Sequence, residues 1–417
     1  MKPMVKIRFL GGGREVGRAA IMVDTGTKYV FDYGVQVQTG EIPIPPPPDT
    51  SCILLSHAHL DHSGGLPLLY ATGFQGNVYM TRATQNLCDL LLTDSLKVQK
   101  LRGMDPGFSH EDIVTAIQST KTVRLGQPVR VKNGVATFHD AGHVPGSASV
   151  LLEAGGKRIL YTGDINFTDT ALMRAAYKEF DDIDILICEC TYSYKNHPDR
   201  NKLSEELRQR VRETVHRGGT ALLPAFAVGR TQEMLLIVSP LGIPITMDGM
   251  GIKATRIAIQ HPESIPSPKK LSGAFEKAKK IRRSQQRSAA VERPGIIITT
   301  SGMMHGGPVN YYMERLHARK ECSLTLLGFQ IEGMPGRVLL DTGRFVTDGM
   351  DIRPEMDIKF MDFSSHASRD DLIGFISRLS PERTLLFHGD YAEDFAKELR
   401  GRGLDVLAPA NGDVVTA

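Results

Sequence analysis

Ser56-His-Ala-His-Leu-Asp-His-Ser-Gly64 carries three histidines and one aspartate within six consecutive positions. The run before it, Ser51-Cys-Ile-Leu-Leu-Ser56, reads as a short buried strand, and the cluster begins where that strand ends. His57 and His59 stand two apart and can point the same way. Asp61 and His62 follow on a tight turn into Gly64 and Gly65. Imidazoles and carboxylates together suit zinc or another first-row metal. The tetrahedral directions around one ion diverge too far for four ligands drawn from so short a loop, so two ions sharing it fit better. A lone histidine reads as an ordinary core or surface residue, but a cluster of this density does not.

Two ions need further ligands, and these are expected at other strand ends. "AGHVPGSAS" supplies His143 at a strand junction flanked by glycines. "LYTGDIN" supplies Asp164 at the end of an apolar strand, and "LFHGD" supplies His388 in the same setting. A carboxylate has two oxygens and can serve both ions, so Asp164 is the natural bridge.

The rest of the chain bounds this reading. Its 417 residues suggest two or three domains. Apolar residues make up 41% and charged residues 23%, as in an ordinary globular chain. No apolar run nears the roughly 18 residues that span a bilayer, and the N-terminus lacks the apolar core of a secretory signal. The five cysteines form no C-x-x-C pair and read as buried free thiols in a reducing, cytoplasmic compartment. A net charge of +3 does not by itself announce a nucleic-acid partner, so any such binding comes from local patches.

The first third reads as strands and turns, with a hairpin at Asp24-Thr25-Gly26-Thr27, followed by a helix in "TRATQNLCDLLLTDSLKVQKL". "ILICECTY", Ile185 to Tyr192, is an apolar strand. Beyond residue 195, helices such as "LSEELRQRVRETVHRGG" alternate with buried strands "TALLPAF", "PITMDG", "GIIITTSG" and "CSLTLLGF". This alternation typifies a doubly wound domain. From about Asp357 the chain returns through "DIKFMDFSSH" to further strands and helices. His110, His197, His216, His261 and His317 sit in polar contexts and read as solvated; His139 and His305 match no ligand position.

In the motifs "HAHLDH", "GHVPGS", "TGD", "ECTY", "FSSHAS" and "FHGD", taken in order, the chain resembles the β-CASP branch of the metallo-β-lactamase superfamily. "GGGREVGRAAIMV" and "TTSGMMHGGP" look most like the archaeal cleavage-and-polyadenylation-specificity-factor type, related to RNase J. The resemblance implies a four-layer αββα metallo-β-lactamase fold (residues 1–194 and 356–417) with an inserted doubly wound β-CASP domain (195–355) and the site in the cleft between. It implies that His57, His59 and His143 hold one zinc, that Asp61, His62 and His388 hold a second, and that Asp164 bridges them with a hydroxide between. Asp32 would orient a ligand histidine, although on spacing alone it reads as a turn aspartate closing a strand. His366 would protonate the leaving oxygen with Glu189 as its partner. The local residues are compatible: Ser368 and Asp371 are spaced like a capping box just after His366, and Glu189 lies among apolar neighbours at a strand end. Read without the family, His366 could equally only close its loop.

The implied activity is zinc-dependent hydrolysis of RNA by a two-metal hydroxide attack, with Asp61 also counted in the catalytic set, leaving 3′-hydroxyl and 5′-phosphate ends. Both endonuclease and 5′→3′ exonuclease modes fit. RNA is favoured over DNA because, in the branch, histidine at the position of His388 accompanies RNA-acting members. Gly229 and Arg230 in "PAFAVGRTQE", and Ser301 and Gly302 in "TTSGMMHGGP", are expected to hold RNA phosphate at strand–helix junctions. "KKLSGAFEKAKKIRRSQQR", with eight Lys/Arg against one Glu, is a candidate phosphate-tracking patch. Besides RNA, the partners considered are a second copy or an RNA-processing complex, with no membrane. On flanks this short, the KH-type and long C-terminal domains of some relatives are not expected. One alternative is a silent or partner-dependent scaffold, though such members usually lose ligands and here every position is filled. The other is a small-ester hydrolase, which the long insert and the Glu189/His366 pair argue against.

Overall fold

A computed structural model describes residues 5–417 of the chain. The chain forms two compact units. The first takes the described residues up to Asp169, then Arg174–Asn196 and Ser365–Ala417; the second takes Thr170–Met173 and His197–Ser364.

Among the described residues, the first unit holds two seven-stranded sheets. One is ordered Val414–Thr416, Lys6–Gly11, Ala20–Asp24, Lys28–Phe31, Cys52–Leu54, Asn77–Thr81, Thr120–Val123. The expected hairpin joins Ala20–Asp24 to Lys28–Phe31. The other runs Val406–Leu407, Arg383–Phe387, Ile185–Glu189, Lys157–Tyr161, Ala148–Ala154, Gly134–Asp140, Pro128–Val131. Both sheets therefore take strands from the C-terminal segment. Their apolar faces meet in one core that includes Ile7, Phe31, Val150, Ile187 and Phe387. Phe31 stacks on Tyr161 and Tyr161 on Phe387, each with ring centroids 4.8 Å apart, which pins the two sheets together next to the strand ends. Helices cover the outer faces. Arg369–Leu379 and Ala392–Gly401 bury Phe375, Ile376, Phe395 and Leu399 against the second sheet. Arg82–Leu101, started by the Thr81 side chain, lies on the first.

The second unit is a six-stranded, all-parallel sheet with flanking helices. Its strands Thr220–Pro224 and Gly295–Thr299 are buried along their whole length, as a sheet covered on both faces requires. The sheet extends past the domain boundary expected at residue 355: Asp357–Phe360 pairs with Ser323–Leu326 as its last strand. A further difference concerns His261, read as solvated. It is 8% exposed and its Nδ1 lies 3.2 Å from Glu263. All five cysteines are free and buried. No helix among the described residues is long and apolar enough to cross a membrane.

Candidate metal centre

The strands Lys157–Tyr161, Ile185–Glu189 and Arg383–Phe387 are parallel neighbours, so their C-terminal ends lie along one edge. Glu189 closes its strand, and Asp164 and His388 stand just past theirs. In the facing sheet, Lys28–Phe31 and Cys52–Leu54 are also parallel and deliver Asp32 and the His57–His62 loop. His143 comes from the loop between Gly134–Asp140 and Ala148–Ala154. All these residues belong to the first unit. The loop is strapped down by Tyr33 N–H donating to His62 O (2.8 Å) and Val35 N–H to Leu60 O (3.0 Å). Between them Gly34 runs so close that a Cβ would fall 1.7 Å from Asp61 O, so only glycine fits.

Two donor groups result. His57, His59, His143 and Asp164 form one, and Asp61, His62 and His388 the other. Asp164 faces both. Its Oδ2 lies 3.5 Å from His57 Nε2 and from His143 Nε2, while its Oδ1 lies 3.2 Å from His62 Nε2 and 3.6 Å from His388 Nδ1. His57 Nε2 and His143 Nε2 converge on His59 Nδ1 at 3.2 and 3.1 Å. His62 Nε2, His388 Nε2 and Asp164 Oδ1 are buried with no hydrogen-bond partner. Facing lone pairs and orphaned polar atoms are costly in a dry site, and cations remove that cost. The donor set of imidazoles and carboxylates thus fits first-row metal ions.

The ring orientations are set from behind. Asp32 is fully buried and takes four hydrogen bonds: from Ser56 N–H (2.7 Å), Ser56 O–H (2.7 Å), Tyr161 O–H (2.7 Å) and His62 Nδ1–H (2.6 Å). Ser56 Oγ in turn lies 3.0 Å from His57 Nδ1. One carboxylate therefore directs the Nε2 atoms of two histidines into the site. His143 Nδ1 donates to Ser365 O (2.8 Å), and Thr191 Oγ lies 3.1 Å from His388 Nδ1. Asp32 and His388 both adopt left-handed backbone, with φ of 56° and 53°, at a cost of about 1–2 kcal/mol each. The bonds around them offset that strain.

Burial and charged neighbours together set the protonation states. Burial pushes His57, His59 and His143 below the usual imidazole range, which favours the neutral form that metal binding requires. Burial also opposes charge on His62, but Asp164 and Asp32 outweigh it and hold that ring well above its ordinary value. Asp164 is buried and the Asp61 side chain 25% exposed, yet the histidines beside them hold both below the carboxylate range.

A third cluster adjoins the first two: Glu189 and His366 lie beside Asp164. His366 Nδ1 sits 3.0 Å from Glu189 Oε1, and its Nε2 is 4.0 Å from Asp164 Oδ2. Glu189 is fully buried and held by the N–H groups of Ile165 and Thr191, each at 3.0 Å. Burial lowers the His366 imidazolium's pKa, but Glu189 and Asp164 more than reverse this and raise it to about 9. The Ser368–Asp371 capping box is present and starts the helix after His366. Sequence reasoning missed Ser56, Tyr161 and Thr191, which read as ordinary strand and loop residues and meet their partners only in the fold.

Gly229, Arg230, Ser301 and Gly302 lie in the second unit. Their loops follow the paired strands Thr220–Pro224 and Gly295–Thr299 and touch: a Cβ on Gly302 would fall 2.9 Å from Phe226 N. Gly229 N–H donates to Gln232 Oε1 (2.7 Å), and the buried Arg230 pairs with Glu233.

Three described families match the chain in succession. The metallo-beta-lactamase superfamily domain covers residues 15–187, the Beta-Casp domain 231–339, and the Zn-dependent metallo-hydrolase RNA specificity domain 351–409. "Probable RNase MJ4" of Methanocaldococcus jannaschii is 34% identical over 99% of this chain and 100% of its own length. "RNase aCSPSF2" of Saccharolobus solfataricus is 32% identical, covering 98% of this chain and 85% of its own. "Transcription termination factor FttA" of M. jannaschii is 32% identical over 95% of this chain and 69% of its own. A solved structure of a protein of unknown function from Enterococcus faecalis V583 superposes with a TM-score of 0.65 at 13% identity, covering 99% of this chain and 100% of that one; it bears on fold alone.

Proposed function

The chain belongs to the β-CASP family of the metallo-β-lactamase superfamily, with the archaeal cleavage-factor nucleases, and on that premise we propose that it is a zinc-dependent ribonuclease. The observation that carries the reading is the shared carboxylate: Asp164 turns one oxygen to each donor group, with the His366–Glu189 pair beside it. His57, His59 and His143 would hold one zinc, and Asp61, His62 and His388 the other. Bound there, the two ions supply an activated water and take up charge at phosphorus.

The chain's own residues supply the rest. Asp164 sets the spacing of the two donor groups. Asp32 and Ser56 hold the Nε2 faces of His57 and His62 inward. His366, fixed through Nδ1 by Glu189, whose charge favours the imidazolium, carries an Nε2 proton on the side facing Asp164 and delivers it to the leaving 3′-oxygen. The products are a 3′-hydroxyl and a 5′-phosphate. In the second unit the loops of Gly229–Arg230 and Ser301–Gly302 stand at the C-terminal ends of adjacent parallel strands, where doubly wound sheets take ligands, which supports a role in holding RNA phosphate. A cytoplasmic location agrees with the free thiols. A second reading, that the cleavage serves transcription termination, draws on the relatives named FttA.

The test compares zinc-loaded wild type, His366→Ala and Asp61→Ala on one RNA, labelled at its 5′ end or internally and prepared with a 5′-triphosphate or a 5′-monophosphate. His366→Ala should lose about 10²–10⁴-fold in rate while retaining zinc. Asp61→Ala and chelation should abolish cleavage together with bound metal. Internal fragments independent of the 5′ group identify an endonuclease, and mononucleotides that require a 5′-monophosphate identify a 5′→3′ exonuclease. No cleavage by zinc-loaded wild type overturns the enzyme reading in favour of a scaffold.

A further inference from the structure

The strands Ile185–Glu189 and Arg383–Phe387 pair in parallel with Glu189 opposite Phe387. The loops that leave them emerge side by side from one edge. The first carries Tyr192, Tyr194 and Lys195; the second carries His388 and Tyr391. Tyr192 is 3% exposed and its ring lies 5.9 Å from that of His366. Tyr194 stacks on Tyr192 at 5.8 Å and 16°, and Tyr391 packs on Tyr194 at 4.9 Å. A ladder of rings thus runs outward from His366. Lys195 Nζ lies 5.1 Å from the Tyr192 ring centre and 5.6 Å from that of Tyr194.

The inner rung is covered as a packing residue should be, but the outer two are not: Tyr194 is 41% and Tyr391 50% exposed. Single exposed aromatics are ordinary. Two in mutual contact, beside a lysine and on the edge that carries the acid pair, form a partly exposed aromatic surface with a positive charge at its side. Nucleobases stack on such surfaces with little regard to sequence, and an ammonium group takes the adjoining phosphate. We infer that Tyr194 and Tyr391 form a stacking platform for the bases of single-stranded RNA immediately 5′ of the scissile bond, with Lys195 on the neighbouring phosphate. The placement rests on the ribonuclease reading above. Hydrolysis that leaves a 3′-hydroxyl expels the oxygen of the upstream nucleotide. His366 protonates that oxygen, so the upstream nucleotide is the one beside the ring ladder.

Wild type, Tyr194→Ala, Tyr194→Phe and Tyr391→Ala are titrated with a single-stranded oligoribonucleotide by fluorescence anisotropy. Cleavage is then followed on the same RNA with an abasic nucleotide just 5′ or just 3′ of the scissile bond. Tyr194→Ala should weaken binding and raise KM about tenfold, with little change in kcat, and Tyr194→Phe should restore both. The 5′-abasic RNA should cost wild type about as much, yet cost Tyr194→Ala nothing more. Unchanged affinity in both alanine variants, or equal abasic penalties on the two sides, overturns the platform and leaves the ribonuclease reading standing; the exposed rings then fall to a protein partner. RNA binding that needs Tyr194 but leads to no cleavage overturns the ribonuclease reading alone.

Discussion

Asp32 illustrates how much one buried carboxylate can govern. It takes four hydrogen bonds and, directly or through Ser56, orients His62 and His57, two of the histidines proposed to hold metal. Asp32→Asn keeps the volume but replaces an acceptor with a donor facing His62. Zinc affinity, followed by competition with a chelator, should fall about 10–100-fold. Retention of wild-type affinity would mean that the Asp32 bonds do not control the ligand rings. Glu189 governs His366 in a comparable way. Because that imidazole's pKa is raised, its acid form is complete at neutral pH and is lost as pH rises through about 9, and the positive charge of bound cations moves this limb lower. Glu189→Gln removes the largest raising influence, so the falling alkaline limb of the rate profile should shift to lower pH. An unmoved limb would assign the acid elsewhere. His366 and Glu189 are 177 positions apart, and no local pattern announces their meeting.

At the level of elements, most site residues gather where parallel strands end together, and His143 comes from a loop between antiparallel strands. A strand end frees its last side chains from the ladder while the neighbouring strand holds the backbone in register. The helix Arg230–Val238 and the helix Arg200–His216 in the second unit are tied by a similar buried arrangement. Arg200 binds Glu233 through both carboxylate oxygens, at 2.7 and 2.8 Å, donates to Ser364 O (2.7 Å) and lies over the Phe363 ring. Glu233 is 2% exposed and also takes Arg230. Glu233→Ala should therefore destabilise this unit by about 3 kcal/mol, because two guanidinium groups lose their carboxylate away from water. Urea unfolding would measure it, and a loss below about 1 kcal/mol would rank the tie with exposed pairs. The helix periods and the hairpin turn were legible because they depend on neighbours three, four or two positions away. The last strand of the second sheet was not, because Asp357–Phe360 joins it only by pairing with Ser323–Leu326.

For the whole molecule, net charge says little and its distribution says more. Lys279, Arg282 and Arg283 are exposed, and Lys280 is held below its ordinary range by burial and by the positive charges of Arg256 and Arg282. Such mutual repulsion is relieved by polyanions. Changing Lys279, Lys280, Arg282 and Arg283 to glutamine should flatten the dependence of RNA affinity on salt, by about 0.7 in the log–log slope for each phosphate that the variant no longer neutralises. An unaltered slope would return the segment to an ordinary solvated face. By itself, the sequence determined the residues that gather into the two donor clusters, the alternation of strand and helix in the insert, and the family. Metal ligation depends on residue type, and the His57–His62 cluster packs its chemistry into one turn of chain. Only the tertiary structure decided that Asp164 divides its two oxygens between the donor groups, that Ser56 and Tyr161 close around Asp32, and that Tyr194 comes to rest on Tyr391. Those arrangements arise from the pairing of strands far apart in the chain, and backbone pairing leaves no mark on the side chains that it brings together.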